Sequence, residues 1–326
     1  MKKIININRR GIMSLLLLFV VISLAQAQHA KYVFYFIGDG MGVNQVNGTR
    51  AYIGQADAQY KDSVYVPQLL MTTFPVAGLA TTHSATNRVT DSAAAGTALA
   101  CGHKTYNHAI GVDANKHPLE SVAMQAKRSG KSVGIATTVS VDHATPAVFY
   151  AHQPNREMYY EIACEIPESN FDFFAGSDFL DPSPEGKPSI YNMVKKAGYS
   201  IQHGYNNFNA SANKIILLQP KGKDRHSVPY AIDSQSDDLT LTQITKAAIA
   251  KLSQNKKGFF VMLEGGKIDW ACHANDAATV FGEVKDLDNA VKVAYDFYKK
   301  HPNETLIVIT ADTKQVVLLS VVVLTL

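Results

Sequence analysis

Three continuous apolar runs rich in β-branched and aromatic residues stand out along the chain: Lys31–Ile37 (KYVFYFI), Val133–Thr138 and Gly258–Leu263 (GFFVML). Without polar alternation, such runs predict strands buried on both faces, as in a parallel sheet. Phe171–Ala175 and Thr305–Thr310 read as further strands, and Val76–Thr82 as a short one. Helical patterns lie between them. Ala and Leu dominate the run after Ser92, Leu119–Ser129 is stopped by Gly130, and Asn155–Glu165 follows. Leu239–Asn255 is amphipathic, and a long helix is expected from Asp276 to Lys300. The alternation of strand and helix predicts an α/β fold with a mostly parallel central sheet and helices on both faces. Residues 198–238 are polar and weakly periodic, with short strands such as Lys214–Leu218, and read as a peripheral insertion.

The first 27 residues follow a different pattern. Lys2, Lys3, Arg9 and Arg10 precede the apolar run Ile12–Leu24, and Ala25-Gln26-Ala27 is a small-x-small cleavage site. This predicts a signal peptide rather than a membrane anchor, a mature chain beginning near Gln28, and a periplasmic or secreted location. Without residues 1–27 the formal charge falls from +3 to −1, so no basic face argues for nucleic acid. The chain holds 3 cysteines, an odd number. Cys101 is expected to be buried and free, and a Cys164–Cys272 bridge is compatible with the sequence.

Candidate chemistry gathers where the strands end. Lys31–Ile37 runs into Gly38-Asp39-Gly40-Met41-Gly42, which suits a ligand crevice and would equally suit a turn with an Asp cap. Ser92 falls at or just inside a helix N-terminus, where unpaired N–H groups favour an anion; the same residues also describe an ordinary N-cap. His143 and Thr145 follow the strand at Val133–Thr138, and the later Arg156 could face the same crevice. Glu264 ends the GFFVML strand. If the turn after Gly266 is helical, Asp269 and His273 lie four apart on one face and can share a zinc ion. Asp312 follows the last strand. Three carboxylates and a helix-tip serine at one sheet edge describe a multi-metal site for phosphoryl transfer.

The segments YVFYFIGDGMG, VTDSAAAGTALACGHKTYNHAIGVD, HATPAVFYAHQPNR, FFVMLEGGKIDWACHANDA and LIVITAD together resemble the alkaline phosphatase family, in family order, over about residues 31–312. The resemblance implies that Ser92 is the nucleophile that becomes phosphorylated and that Arg156 clamps phosphate oxygens. It implies two Zn2+ and one Mg2+ per subunit. Asp39 would bridge the second zinc and the magnesium, with Thr145 and Glu264 on magnesium. Asp269 and His273 would bind the first zinc, and Asp312, with Ser92, the second. His143 and Trp270 would tune the shell around metal and phosphate. Small phosphomonoesters are the implied substrates. A homodimer, with no stable membrane anchor after signal cleavage, is the implied assembly.

The resemblance stops at Asp312. The family continues Asp-His-Glu-Thr-Gly-Gly, whereas this chain reads Asp312-Thr313-Lys314-Gln315-Val316-Val317. Deleting one C from GACCACGAAACAGGTGGT gives that reading, so residues 313–326 are expected to be an out-of-frame tail on an incomplete catalytic domain, residues 28–312, that lacks its C-terminal strands. The expected activity is metal-dependent phosphomonoester hydrolysis, impaired in this chain. A catalytically dead remnant that at most binds metal or phosphate is one alternative, and a related phosphodiesterase or sulfatase is the other.

Overall fold

The structure is a computed structural model that describes residues 30–57, 59 and 66–313. The expected signal peptide, residues 1–27, and the expected tail beyond Thr313 lie outside the described residues. Its strands are β1 (Tyr32–Gly38), β2 (Ser132–Thr137), β3 (Phe173–Gly176), β4 (Tyr199–His203), β5 (Lys214–Leu218), β6 (Phe259–Gly265) and β7 (Thr305–Thr310). Among the described residues they form one sheet in the order β4-β5-β3-β2-β6-β1-β7, with every pairing parallel. The helices are α1 (Val43–Ala56), α2 (Ser92–Cys101), α3 (Val122–Arg128), α4 (Ala144–Ala147), α5 (Tyr159–Cys164), α6 (Ile166–Ser169), α7 (Ile190–Lys196), α8 (Leu241–Leu252), α9 (Lys267–His273) and α10 (Ala277–Tyr298).

Alternation along β1 divides the core between the two faces of the sheet. Tyr32, Phe34 and Phe36 pack with Leu252 of α8 and Leu287 and Val291 of α10. Ile37 packs on the other face with Ala93 of α2, Ala144 of α4 and Phe149. Full burial of a side chain such as Phe34 contributes roughly 1.5–3 kcal/mol. β2 and β6 are buried at every position, as continuous apolar runs require. Among the described residues β7 is an edge strand and stays partly exposed, with Leu306 pointing outward.

Several expectations are corrected. Val76–Thr82 is not a strand: it pairs with no strand among the described residues, and Val76 and Leu79 are 86% and 104% exposed. Residues 198–238, expected as a peripheral insertion, join the main sheet, where β4 and β5 are its two outermost strands on one side. The strand expected at Lys214–Leu218 is present as β5, whereas the polar sequence around β4 hid a strand that pairing with β5 stabilises. Cys164 and Cys272 form no bridge, and Cys101 is free but only half-buried. The helix within Leu119–Ser129 begins later, because the Ser121 hydroxyl caps it by accepting from the Met124 amide at 3.1 Å. Helix α1 escaped notice because its buried face is made of Gln45, Thr49 and Gly54, which carry no hydrophobic period.

Candidate active site

Strand register brings the candidate groups to one edge. Ile37 of β1 and Thr137 of β2 both pair with Glu264 of β6, so these three strands end level. Asp39 then follows β1 directly, and Asp312 lies two residues beyond β7. Crossover helices of a parallel sheet leave such ends together at a ligand crevice. α2 starts at Ser92 on this side. Asp91 caps it, its Oδ1 accepting from the Ala94 amide at 3.0 Å. The Ser92 hydroxyl then lies 3.3 Å from both carboxylate oxygens of Asp39. Small residues let α2 approach closely; a Cβ on Gly96 would come within 3.1 Å of Val148.

Asp39, Glu264 and Asp312 are 1%, 0% and 3% exposed. Burial, and then the repulsion of Asp312, Asp269 and Glu264, raises the Asp39 carboxyl well above its usual range. Burial likewise pushes Glu264 up to about 8, with Asp312 adding repulsion while hydrogen bonding from Thr137 works the other way. Asp312 is pushed up to about 6, mainly by burial. Glu264 Oε1, Asp312 Oδ2 and Thr145 Oγ1 are all buried without a hydrogen-bond partner. Orphaned oxygens beside mutually repelling carboxylates are costly in a protein interior, and oxygen-seeking cations relieve that cost. The donor set therefore fits divalent metal. Among the described residues, however, no three His, Cys, Asp or Glu side chains close into a finished metal shell.

The conditional helix after Gly266 is present as α9, and it places His273 Nε2 3.4 Å from Asp269 Oδ2. Gly40 has φ +69°, and a Cβ there would meet Asp269 Oδ1 at 2.9 Å. The glycine thus supplies both the left-handed turn and the close approach of the β1 loop to α9. Thr313, in the position where the resemblance calls for His, donates from its hydroxyl to Asp39 at 3.2 Å.

Arg156 approaches from the loop before α5. Its Nη1 lies 3.3 Å from Asp91 Oδ2, and its Nη2 lies 3.4 Å from His143 Nε2. Guanidinium nitrogens only donate, so His143 Nε2 must accept and the ring must be neutral. Burial, and then the Arg156 charge, pushes His143 down to about 3. Trp270 meets the His143 ring edge-on at 5.9 Å between centroids. Each residue singled out from the sequence therefore lies at or beside this edge. Sequence reasoning missed Thr137, whose hydroxyl donates to Glu264 Oε2. A hydroxyl at the end of an otherwise apolar strand was its signal. It also missed Lys267, which is 2% exposed and paired with Glu283 of α10 at 3.0 Å.

The family model for alkaline phosphatase matches residues 30–177 and 223–324. The chain belongs to the alkaline phosphatase family. Alkaline phosphatase 4 of Bacillus subtilis (strain 168) is 38% identical over 293 residues, which cover 86% of this chain and 61% of that protein. The Escherichia coli (strain K12) alkaline phosphatase is 30% identical, over 87% of this chain and 70% of its own length. The alkaline phosphatase of the Antarctic bacterium TAB5 superposes with a TM-score of 0.77 at 34% identity, covering 88% of this chain and 80% of that one. A variant of the TAB5 enzyme is described with Mg bound. The chain spans about three fifths of the length of the Bacillus alkaline phosphatases it matches. No helix among the described residues is long and apolar enough to cross a membrane.

Proposed function

We propose that the chain descends from, and is built as, an exported metal-dependent phosphomonoesterase that works through a phosphoserine at Ser92. The observation that carries this reading is the Ser92 hydroxyl at a helix N-terminus, 3.3 Å from Asp39, within a cluster of buried carboxylates in which Glu264 Oε1 and Asp312 Oδ2 lack partners. Asp39, Asp312 and Ser92 would hold one zinc ion, and Asp269 and His273 another. Asp39, Thr145 and Glu264 would hold magnesium. Bound divalent cations supply charge neutralisation and Lewis acidity at this edge.

The chain's own groups do the following. The N-terminus of α2 attracts the phosphate, and Arg156 turns from Asp91 to fork two of its oxygens. The Ser92 hydroxyl gives up its proton to solvent as its oxygen attacks phosphorus, with Asp39 holding the hydroxyl in place. The ester P–O bond breaks and the alcohol leaves with a proton from solvent. Water then attacks the phosphoserine, the Ser92 oxygen regains its proton, and inorganic phosphate departs. His143, neutral and set by Arg156 and Trp270, holds the guanidinium in place. Export and a homodimer complete the reading, resting on the sequence of residues 1–27 and on family resemblance.

A catalytically silent, metal- or phosphate-binding chain is the second reading. It is favoured by the open metal shell among the described residues and by Thr313 beside Asp39. Zinc analysis combined with p-nitrophenyl phosphate turnover at pH 8–10 separates the two, and peptide mapping for phosphoserine at Ser92 tests the mechanism.

A further inference from the structure

His152 lies four residues before Arg156, outside the carboxylate cluster, and is held in an unusual way. Its Nδ1 is 3.1 Å from Glu165 Oε2, and its Nε2 is 3.0 Å from the Leu119 carbonyl. Both partners can only accept. A neutral ring has one protonated nitrogen, so its other lone pair would face an oxygen at contact distance. Only the imidazolium satisfies both contacts.

The surroundings support the charged form. Glu165 also accepts from the His152 amide at 3.0 Å and from Gln153 Nε2 at 2.7 Å, which keeps it an acceptor. Glu168 lies near enough to add to the attraction. Lys127 and Arg128 of α3 line the same cavity of about 460 Å3, but they are paired with Asp172 and Glu120. Of the cationic side chains around this cavity, His152 is thus the one paired with Glu165. Its hydrogen bond raises the His152 pKa above the usual imidazole value, against the lowering effect of burial.

The bonds of His152 join three segments. Leu119 donates its amide to the Gly111 carbonyl at 2.8 Å, and Gly111 packs so tightly on Ala151 that a Cβ would lie 2.1 Å from the Ala151 oxygen. Ile110 and Gln153 exchange backbone hydrogen bonds at 2.9 Å. The Arg156 amide donates to the His108 carbonyl at 2.8 Å, and the His108 amide donates to Asp91 Oδ2 at 3.0 Å. The backbone of Arg156 is therefore suspended from a strap that His152 fastens to Leu119 on one side and to Glu165 on the other.

We infer that His152 is a positioning residue for Arg156 and acts as an imidazolium, so that the placement of the guanidinium loosens when His152 loses its proton. The link to phosphate binding rests on the function proposed for Arg156; the fastening itself does not. The sign follows from linkage. A histidine whose folded pKa is raised stabilises the fold fully below its unfolded pKa, and that contribution is lost as pH rises through the folded value.

Hydrogen exchange of the full chain, read by mass spectrometry between pH 6 and 9.5, tests this. Protection of peptides spanning 108–112 and 151–157 is taken relative to peptides from β2, which cancels base catalysis of exchange. The relative protection is expected to fall with pH, by about tenfold for each unit that the folded pKa exceeds the unfolded one. In His152→Gln it is expected to be low and flat throughout. A flat wild-type profile, or the same fall in the variant, overturns the inference. If His152→Gln does not fold, Glu165→Gln decides: the fall must move to lower pH, and an unmoved midpoint overturns the inference. Binding of labelled inorganic phosphate is measured alongside. If exchange follows His152 but no phosphate binds, the fastening stands and the reading of Arg156 as a phosphate clamp fails.

Discussion

The hydroxyl of Ser92 and the carboxylate of Asp39 face each other at 3.3 Å, although 53 residues separate them in the chain. A serine that only capped α2 would turn to its own helix, but that task falls to Asp91. Ser92 is thereby free to act as a nucleophile. In a chain continued past Asp312 with the family's His-containing sequence, Ser92→Ala is expected to abolish phosphoserine and cut turnover on the order of 10^4-fold or more. Metal content should change little. Trapping labelled phosphate covalently on the Ala variant would show that another group is the nucleophile.

Arg156 holds Asp91 and His143 at once, and both contacts sit at the upper end of hydrogen-bond length. Those contacts are loose enough to be exchanged for phosphate oxygens. Arg156→Ala is expected to weaken inorganic phosphate binding by roughly 10- to 100-fold, the range of one or two charged hydrogen bonds. Arg156→Lys should recover little, because an ammonium group cannot fork. Equal phosphate inhibition constants in the wild type and both variants would remove Arg156 from the site.

Much of this arrangement was legible in the sequence because it depends on strand ends. Asp39, Glu264 and Asp312 each follow an unbroken apolar run, and a parallel sheet has one carboxyl edge to which such runs deliver their last residues. The spacing of Asp269 and His273 was equally readable, since it needs only one turn of α9. Contacts between segments remote in sequence were not readable. β4 looks polar and irregular until β5 pairs with it, and α1 turns Gln45 and Thr49 inward. Val76–Thr82 shows the opposite error: strand-like residues without a neighbour form no strand.

Lys267 illustrates a contact that no sequence pattern announces. It begins α9, two residues before Asp269, and its Nζ is buried against Glu283 of α10, the Pro229 carbonyl and the Tyr230 ring. The pair fixes α9 to α10 and to the segment first read as peripheral. Lys267→Met leaves the Glu283 charge buried alone and is expected to cost about 3–5 kcal/mol in denaturant unfolding. Adding Glu283→Leu should restore most of that loss. A single variant as stable as the wild type would mean that water reaches Glu283.

Metal-free protein should be sensitive to pH in a defined direction. The carboxyls of Asp39, Glu264 and Asp312 are all raised in the folded state, Glu264 to about 8 and Asp312 to about 6. The folded chain therefore holds protons that the unfolded chain releases. Its stability is fully present below the unfolded carboxylate values, around pH 4, and is lost as pH rises through the folded values. In EDTA, Tm is expected to fall from pH 5 to pH 8. Magnesium or zinc should reverse the fall, by about 2.7 kcal/mol at a concentration 100 times its Kd. A Tm that does not change with pH in EDTA, or does not respond to either cation, would show that these carboxylates do not share a buried site.

The chain as it stands is expected to turn over p-nitrophenyl phosphate near background. An open catalytic zinc site keeps three protein ligands and a water. The donors assigned to the first zinc are Asp269 and His273, and His273 has a side chain 66% exposed. The second would have Asp39 and Asp312, joined by Ser92 only once it ionises. Where the family resemblance calls for an imidazole, Thr313 instead donates a hydrogen bond to Asp39, occupying a lone pair that a metal would use. Two carboxylates without an imidazole suit magnesium better than zinc, and magnesium acidifies a bound hydroxyl less. Purified protein dialysed against excess zinc should therefore retain well under two equivalents by metal analysis. Magnesium should stabilise it without raising turnover. Thr313→His tests the local part of this reasoning: it should raise zinc retention, because it adds an imidazole beside Asp39 and removes the competing hydroxyl. Soluble wild-type protein that held two zinc ions and hydrolysed the ester at a rate typical of the family would overturn both the ligand assignment and the place given to Thr313.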